Sequence, residues 1–139
     1  MKKIKDDYNA WAYQYDNNIN PTRDLDKTVT KESLSNIDFF KVLELGCGSG
    51  KNTEWLITRA EKVVGLDFSK NMLDLAKRKI ITDKATFINT DLNENWPVSD
   101  NSFDLATINL TLEHIEILDH IFNSMFMKLT KDGKCFVCE

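Results

Sequence analysis

The sequence predicts an α/β fold, a doubly wound and mostly parallel sheet with helices on both faces. From Lys41 onward, short apolar runs of strand length alternate with segments that have helical spacing, in the order β-α-β-α-β. The strand-like runs are apolar almost without interruption, which is typical of parallel strands buried on both faces. Together these two observations require crossover helices and a parallel sheet.

The first forty residues differ from the rest and are expected to form a helical cover segment, residues 1–40. They are polar apart from a group of aromatic residues, Tyr8, Trp11, Tyr13 and Tyr15. Asn20 is expected to cap a helix with Pro21 at its first position. Leu25 and Val29 should share one face of that helix.

Residues 41–139 are expected to form the second unit, a ligand-binding domain. Its predicted strands are residues 42–45, 63–66, 85–88, 103–108 and 134–138. A first helix is predicted over residues 52–60, and Ser69 should cap a second that carries Met72, Leu73, Ala76 and Ile80. A third helix should place one apolar stripe toward the core, comprising Leu118, Ile121, Phe122, Met125 and Leu129. A turn at residues 131–133 then leads into the last strand.

Composition excludes several classes of protein. The 139 residues are 42% hydrophobic, with a net charge of −4, and this balance argues against a surface that neutralises phosphates. No apolar run approaches the roughly 20 residues of a membrane-spanning helix, and the first residues do not resemble a signal peptide. Three cysteines, Cys47, Cys135 and Cys138, are expected to be reduced thiols, which favours a cytoplasmic protein.

A glycine-rich loop and an acidic residue form the strongest functional motif. The sequence Leu-Glu-Leu-Gly-Cys-Gly-Ser-Gly over residues 43–50 follows a predicted strand and opens a helix. Glycines there allow a tight turn and let a ligand approach the backbone. Asp67 ends the next strand, where a carboxylate can accept hydrogen bonds from both hydroxyls of a ribose. The alternative is that Asp67 only caps the following helix.

The loop chemistry separates two possible ligands. Dinucleotides require G-x-G-x-x-G, but Lys51 stands where the third glycine should be. Glu44 places acidity near the ligand, which suits a cation with an ammonium and a sulfonium better than a pyrophosphate. These residues favour S-adenosyl-L-methionine (SAM) over NAD, although a nicotinamide-dependent oxidoreductase is the remaining alternative enzyme.

Three motifs in order resemble class I SAM-dependent methyltransferases. They are residues 41–50, residues 64–69 (Val-Gly-Leu-Asp-Phe-Ser) and residues 103–115. The best match is the type 11 group, which includes enzymes similar to those of ubiquinone and menaquinone biosynthesis. The resemblance covers residues 41–139 and implies a Rossmann-like fold, SAM as cofactor with S-adenosyl-L-homocysteine as product, and a small-molecule acceptor. It implies neither a particular acceptor nor a metal.

The resemblance also implies a set of cofactor-binding residues. The loop glycines and Cys47 would lie against the methionine part, Glu44 near its amino group, Asp67 on the ribose and Phe68 beside the adenine. Further contacts would come from Asp91 and Leu92 near the adenine and from Asn109 and Leu110 near the methionine. Arg23 is a candidate for the carboxylate of SAM. The full set is Glu44, Gly46, Cys47, Gly48, Gly50, Asp67, Phe68, Asp91, Leu92, Asn109, Leu110 and Arg23.

No catalytic residue is assigned. His114 is a weak candidate for a general base and can equally cap a helix. Trp11, Tyr13 and Tyr15 form either ordinary cover or a lid over the cofactor. In the predicted last strand, Cys135 and Cys138 should point to opposite faces, which argues against a shared metal or redox role.

The end of the chain raises one more expectation. The family fold continues after the fifth strand with a helix and two antiparallel strands, whereas this sequence ends at Glu139. We therefore expect a fold truncated after the fifth strand, with an open apolar edge that another copy could pair with. A SAM-binding module without turnover is the alternative to an active enzyme. The acceptor is not expected to be a nucleobase amine, since residues 109–112 (Asn-Leu-Thr-Leu) lack the Pro-Pro-aromatic signature of such enzymes.

Overall fold

The computed structural model describes residues 21–109, 111 and 118–139. In these ranges four helices alternate with five strands. They are α1 (Pro21–Leu34), β1 (Lys41–Leu45), α2 (Lys51–Arg59), β2 (Lys62–Asp67), α3 (Lys70–Lys79), β3 (Ala85–Asn89), β4 (Phe103–Asn109), α4 (Leu118–Lys128) and β5 (Leu129–Cys138).

The five strands form one parallel sheet in the order β3-β2-β1-β4-β5. The chain moves outward from β1 to β2 and β3, then returns to the other side of β1 for β4 and β5. One core cluster joins α1 and α2 to the sheet through Leu34 and Leu56, and another joins α4 through Ile121 and Met125. The predicted fold class, including helices on both faces, is confirmed. Because the strand order reverses between β1 and β4, their carboxyl ends frame a place where a ligand can enter.

Burial explains why most elements were predictable. Residues 42–45 of β1 and 63–67 of β2 are all buried, so both strands have the continuous apolar character of a two-sided layer. Ser69 caps α3 as predicted, because its hydroxyl accepts the backbone N–H of Met72 at 3.3 Å.

Helix α1 docks in an unexpected orientation. Leu25 and Val29 do share one face, but that face is exposed, at 64% and 36%. The buried side of α1 instead carries Arg23, Asp26, Thr30 and Leu34. The predicted cap, Asn20, lies outside the described residues.

The last helix and strand meet earlier than predicted. Leu129 was expected to continue the helical stripe, whereas it begins β5 and pairs with Phe103 of β4. Helix α4 ends there because the carbonyls of Met127 and Lys128 accept the backbone N–H groups of Asn101 and Ser102. The predicted turn at residues 131–133 is an irregularity within β5: Leu105 pairs with Lys134, so residues 130–133 oppose a single residue of β4.

Candidate functional site

The loop after β1 has a backbone that only glycine adopts easily. Gly46, Gly48 and Gly50 have φ angles of 69°, 54° and 88°. The backbone N–H groups of Gly46 and Cys47 both donate to the carbonyl of Leu66, at 2.7 and 3.2 Å. The loop is therefore curled tightly at the carboxyl end of β1 and fixed to the end of β2.

The three glycines face different surroundings. A Cβ atom on Gly46 would collide with the side chain of Thr111, and one on Gly50 would lie 2.6 Å from Cδ1 of Ile80. Among the described residues, no atom lies within 4 Å of a Cβ atom on Gly48. Gly46 and Gly50 are thus required for packing within the protein, whereas the part of the chain that the structure describes leaves the backbone of Gly48 uncovered, so that a ligand can approach it.

Asp67 connects this loop to the end of β2. Its carboxylate accepts the N–H of Gly48 at 2.8 Å and that of Ser69 at 2.9 Å, and the residue is only 5% exposed. Burial raises the pKa of Asp67 to about 6, although the N–H groups of Ser69, Gly48 and Phe68 oppose the shift. Since Ser69 is the cap of α3, the alternative that Asp67 serves only as that cap is wrong. The bond from Gly48 to Asp67 was not foreseen from the sequence.

Glu44 is buried beneath the loop. It is 4% exposed, and its carboxyl group accepts the hydroxyl of Thr53 in the first turn of α2. Burial raises its pKa to about 8, and the nearby negative charges of Asp67 and Asp26 add to the shift. The sequence argument assigned Glu44 a negative charge, but in the ligand-free protein a carboxyl group with this pKa is mostly protonated at neutral pH. A cation beside it would restore the charge.

A polar cluster that the sequence analysis missed lies beside Glu44. Asp26 of α1 accepts the side-chain amides of Asn52 at 3.0 Å and Asn109 at 2.8 Å. Thr107 is the register partner of Glu44 across β1 and β4, so the two side chains share a face of the sheet. Among the described residues, the buried hydroxyl of Thr107 has no hydrogen-bond partner. Buried polar residues of this kind give no periodic signal, and only their place in the fold reveals them.

The predicted adenine-side residues lie at the end of the neighbouring strand. The carbonyl of Asp67 accepts the N–H of Thr90 and the side-chain amide of Asn89, at 2.8 and 2.9 Å, which ties the end of β3 to that of β2. Asp91 follows directly and accepts the backbone N–H of Asn93 at 2.9 Å. The carbonyl of Leu92 accepts the indole N–H of Trp96 at 3.0 Å.

The remaining predicted residues divide into three groups. Cys47 is buried against Gly65, and burial, followed by the charges of Asp67 and Glu44, raises the pKa of its thiol, which disfavours the reactive thiolate form. Arg23 is buried on the inner side of α1, and Phe68 follows Asp67. Leu110, His114 and the aromatic residues Trp11, Tyr13 and Tyr15 lie outside the described residues.

The two C-terminal cysteines lie on opposite faces of β5, as predicted. The thiol of Cys135 donates to the sulfur of Met125 on α4, at 3.6 Å. Cys138 instead lies near Asp26 on α1, and burial, followed by the interaction with Asp26, raises the pKa of its thiol to about 11. In the part of the chain that the structure describes, no helix combines the length and apolar character needed to cross a bilayer.

Taken together, the site offers bare backbone at Gly48 and buried carboxyl groups at adjacent strand ends. Asp67 and Asp26 both lie close enough to Glu44 for their negative charges to raise the pKa of its carboxyl group. This charge distribution suits a ligand that carries positive charge together with hydroxyl groups, and it is unfavourable for a pyrophosphate.

Comparisons with known proteins agree with this geometry. The family model described as "Methyltransferase domain" matches residues 43–137. Demethylmenaquinone methyltransferase from Lactobacillus johnsonii is 33% identical over 103 residues, which cover 70% of this chain and 42% of that protein. Trans-aconitate 2-methyltransferase from Rhizobium leguminosarum is 31% identical over 125 residues, 84% of this chain and 46% of that protein.

A solved structure gives the same result. The DhpI-SAM-HEP complex superposes with a TM-score of 0.78 at 28% identity, covering 93% of this chain and 61% of that one. The chain spans about half the length of the curated relatives it matches. Because the family model covers more than half of the sequence, and the motifs and fold agree with it, the chain belongs to the class I SAM-dependent methyltransferases.

Proposed function

We propose that this chain binds SAM at the carboxyl ends of β1, β2 and β4 and provides the methyl-donor site of a methyltransferase with a small-molecule acceptor. The observation that carries the proposal is the juxtaposition of two features. None of the described residues covers the backbone of Gly48, and its N–H donates to the carboxylate of Asp67 at 2.8 Å, at the end of the neighbouring strand. A ligand seated at Gly48 therefore lies next to the group suited to a ribose.

Each candidate residue has a proposed part in this site. The backbone around Gly48 contacts the methionine portion, and Glu44 attracts its ammonium group. Asp67 accepts the ribose hydroxyls, and Phe68 flanks the adenine. The other proposed contacts are those of Gly46, Cys47, Gly50, Asp91, Leu92, Asn109, Leu110 and Arg23.

The protein's contribution to methyl transfer is mainly positioning. SAM supplies an activated methyl group and departs as a neutral thioether, so the protein has no leaving group to protonate. The loop and the buried carboxyl groups fix the donor, and the covered strand ends exclude water from one side of it. Holding two reactants in line in this way is worth roughly 7–11 kcal/mol.

The acceptor and the acceptor site lie beyond the described geometry. The two relatives named above act on demethylmenaquinone and on trans-aconitate, which are both small but chemically different molecules. We therefore propose a small-molecule acceptor, with His114 as a candidate base where the acceptor arrives protonated. A cytoplasmic location and a homodimer formed through the edge of β5 are part of the same proposal.

Calorimetry tests the proposed ligand. SAM and S-adenosyl-L-homocysteine should each bind at one site per chain, whereas NAD should show no heat of binding at the same concentrations. Tight binding of NAD without SAM would reject the proposal in favour of an oxidoreductase. Incubating the protein with labelled SAM and a panel of small acceptors then measures methyl transfer, and separates an enzyme from a module that only binds.

Gly48→Ala tests where the ligand lies. Alanine is strained at this φ by about 1–2 kcal/mol, but its methyl group meets no atom of the described residues, so the variant should fold. Its methyl group would occupy the space proposed for SAM and should weaken binding by roughly 1–3 kcal/mol. Gly50→Ala carries similar backbone strain but directs its methyl group at Ile80, so its melting temperature shows what strain and crowding in the loop cost in stability. Equal affinity of Gly48→Ala and the unmodified protein would place the ligand elsewhere.

A further inference from the structure

We propose that Asp26 is a positioning residue for the methyl donor: its buried carboxylate fixes α1 across the carboxyl ends of β4 and β5, beside the glycine loop. The inference rests on the function proposed above. It assigns a role to a residue in the N-terminal segment that the sequence motifs do not include.

Three elements converge on the Asp26 carboxylate. One oxygen accepts the side-chain amide of Asn52 in the first turn of α2, at 3.0 Å, and the other accepts that of Asn109 at the end of β4, at 2.8 Å. Cys138 at the end of β5 lies close enough to the same side chain for Asp26 to raise the pKa of its thiol. The two amide partners lie 26 and 83 residues away along the chain, so Asp26 connects parts of the fold that the backbone does not connect locally.

The amide of Asn109 holds α1 at two points. The same nitrogen that donates to Asp26 also donates to the hydroxyl of Thr30, one turn further along α1, at 2.8 Å. An amide group has two hydrogens, so both bonds form at once. Both amide hydrogens of Asn109 are therefore used in holding α1, so its NH₂ group has none left to donate to the cofactor.

Apolar packing holds the other end of α1. Leu34 is buried in the core cluster that contains Leu56, whereas Leu25 is 64% exposed. The first half of the helix is thus held by polar contacts and the last residue by the core. Loss of the Asp26 contacts should release the first half of α1 and leave the domain folded.

The position of α1 matters for the cofactor because of what lies beside it. Asp26 is close enough to Glu44 for its charge to affect that carboxyl group, which lies directly beneath the glycine loop. Arg23 lies on the same buried side of α1, three residues earlier, and is the candidate for the carboxylate of SAM. When Asp26 fixes the helix, it fixes Arg23 with respect to the methionine end of the ligand.

Asp26→Asn tests this role with little change in shape. Asparagine places an NH₂ group against one of the two donor amides, so one contact becomes repulsive. In the ligand-free protein, amide hydrogen exchange in the first half of α1 should become at least tenfold faster, while exchange in β1 should not change. SAM should bind about tenfold more weakly, mainly through faster dissociation. Asp24→Asn, an exposed change on the same helix, is the charge-matched control and should alter neither rate nor affinity.

Exchanging the two residues Asp26 and Asn109 should restore the contact that Asp26→Asn breaks. In the double variant Asp26→Asn with Asn109→Asp, the new amide can donate to the new carboxylate, accept from Asn52, and leave Thr30 to donate its hydroxyl. Exchange in α1 and SAM affinity should both return to within about threefold of the unmodified protein. A residue important only for stability would lower the melting temperature without this paired recovery of dissociation rate.

Three results would overturn the inference. In the first, amide hydrogen exchange in α1 of Asp26→Asn is unchanged. In the second, exchange is faster but the affinity for SAM is unchanged. In the third, the double variant recovers neither the exchange rate nor the affinity. If the unmodified protein binds no SAM, the proposed function fails and so does the link to the cofactor. The exchange rates then still decide whether Asp26 fixes α1, so the two failures are distinguishable.

Discussion

Asp67→Ala is expected to weaken the binding of SAM by at least tenfold, with a larger loss if both ribose hydroxyls depend on this carboxylate. Hydrogen bonds to a charged group contribute roughly 1.5–3 kcal/mol each, and about 1.4 kcal/mol corresponds to a factor of ten. The same substitution removes the acceptor for the buried N–H groups of Gly48 and Ser69. Each group left without an acceptor costs about 1–3 kcal/mol of the free energy of unfolding.

Two further variants separate these effects. Asp67→Asn keeps the size of the side chain and one carbonyl acceptor, so it should recover part of the stability but little of the affinity. Asp83→Ala removes an exposed carboxylate from the loop before β3 and should leave both quantities unchanged. Calorimetry measures the affinity and urea denaturation the stability. A folded Asp67→Ala protein that binds SAM as tightly as the original would remove Asp67 from the ribose site.

The sequence pattern was sufficient to predict the sheet because the central strands are buried on both faces. β1 and β4 have a strand on either side of them, so most of their residues are buried, and their predicted ends differ from the observed ends by a single residue. The glycine loop was predictable for a similar reason. Its positive φ angles restrict the choice of residue at each position.

The orientation of α1 could not be predicted in the same way. Leu25 and Val29 suggest an apolar face, yet the helix buries Asp26 and Thr30. The reason is a tertiary contact, because the side-chain amide that donates to Asp26 belongs to Asn109, 83 residues further along the chain. A periodicity argument compares residues within one helix and contains no information about such a partner.

The boundary at Leu129 shows a different limit. This residue fits the apolar stripe of α4 and also fits a strand, and its side chain joins the same core cluster as Met125. The helix ends before Leu129 because the backbone N–H groups of Asn101 and Ser102 donate to the last carbonyls of the helix. Such backbone hydrogen bonds from a distant segment cannot be predicted from the local pattern of apolar residues.

The protonation state of Glu44 could likewise not be predicted from the sequence. A carboxylate preceding the loop was assigned a negative charge, but burial and two acidic neighbours, Asp67 and Asp26, raise its pKa to about 8. The position of the residue was predictable from the motif, whereas its protonation state depends on side chains from α1 and β2.

Glu44→Gln is expected to remove much of the pH dependence of stability. The pKa of Glu44 is about 8 in the folded protein, against 4.5 for an ordinary carboxyl group. Between these values the folded state keeps a proton that the unfolded state releases, so the contribution of Glu44 to stability is complete below pH 4.5 and is lost as the pH rises to about 8. The slope approaches about 1.4 kcal/mol per pH unit, or roughly 3 kcal/mol between pH 5 and 7. Glutamine keeps an acceptor for Thr53 but cannot ionise, so the slope should largely disappear.

Urea denaturation at a series of pH values measures this slope, with Glu61→Gln as an exposed control that should retain it. Asp67 contributes a smaller total change of the same sign, confined to the range between pH 3.8 and about 6, in both variants, so the effect of Glu44→Gln is clearest between pH 6 and 8.

Binding of SAM should act on Glu44 in the opposite direction, because an ammonium beside the carboxyl group favours its charged form. Near neutral pH the unmodified protein should therefore release a proton when SAM binds, and calorimetry in buffers of different ionisation enthalpy detects that proton. If Glu44→Gln released as many protons as the unmodified protein, another group would face the ammonium. If Glu44→Gln instead lost both the proton release and the pH dependence of stability, Glu44 would be placed in the buried core and beside the cofactor.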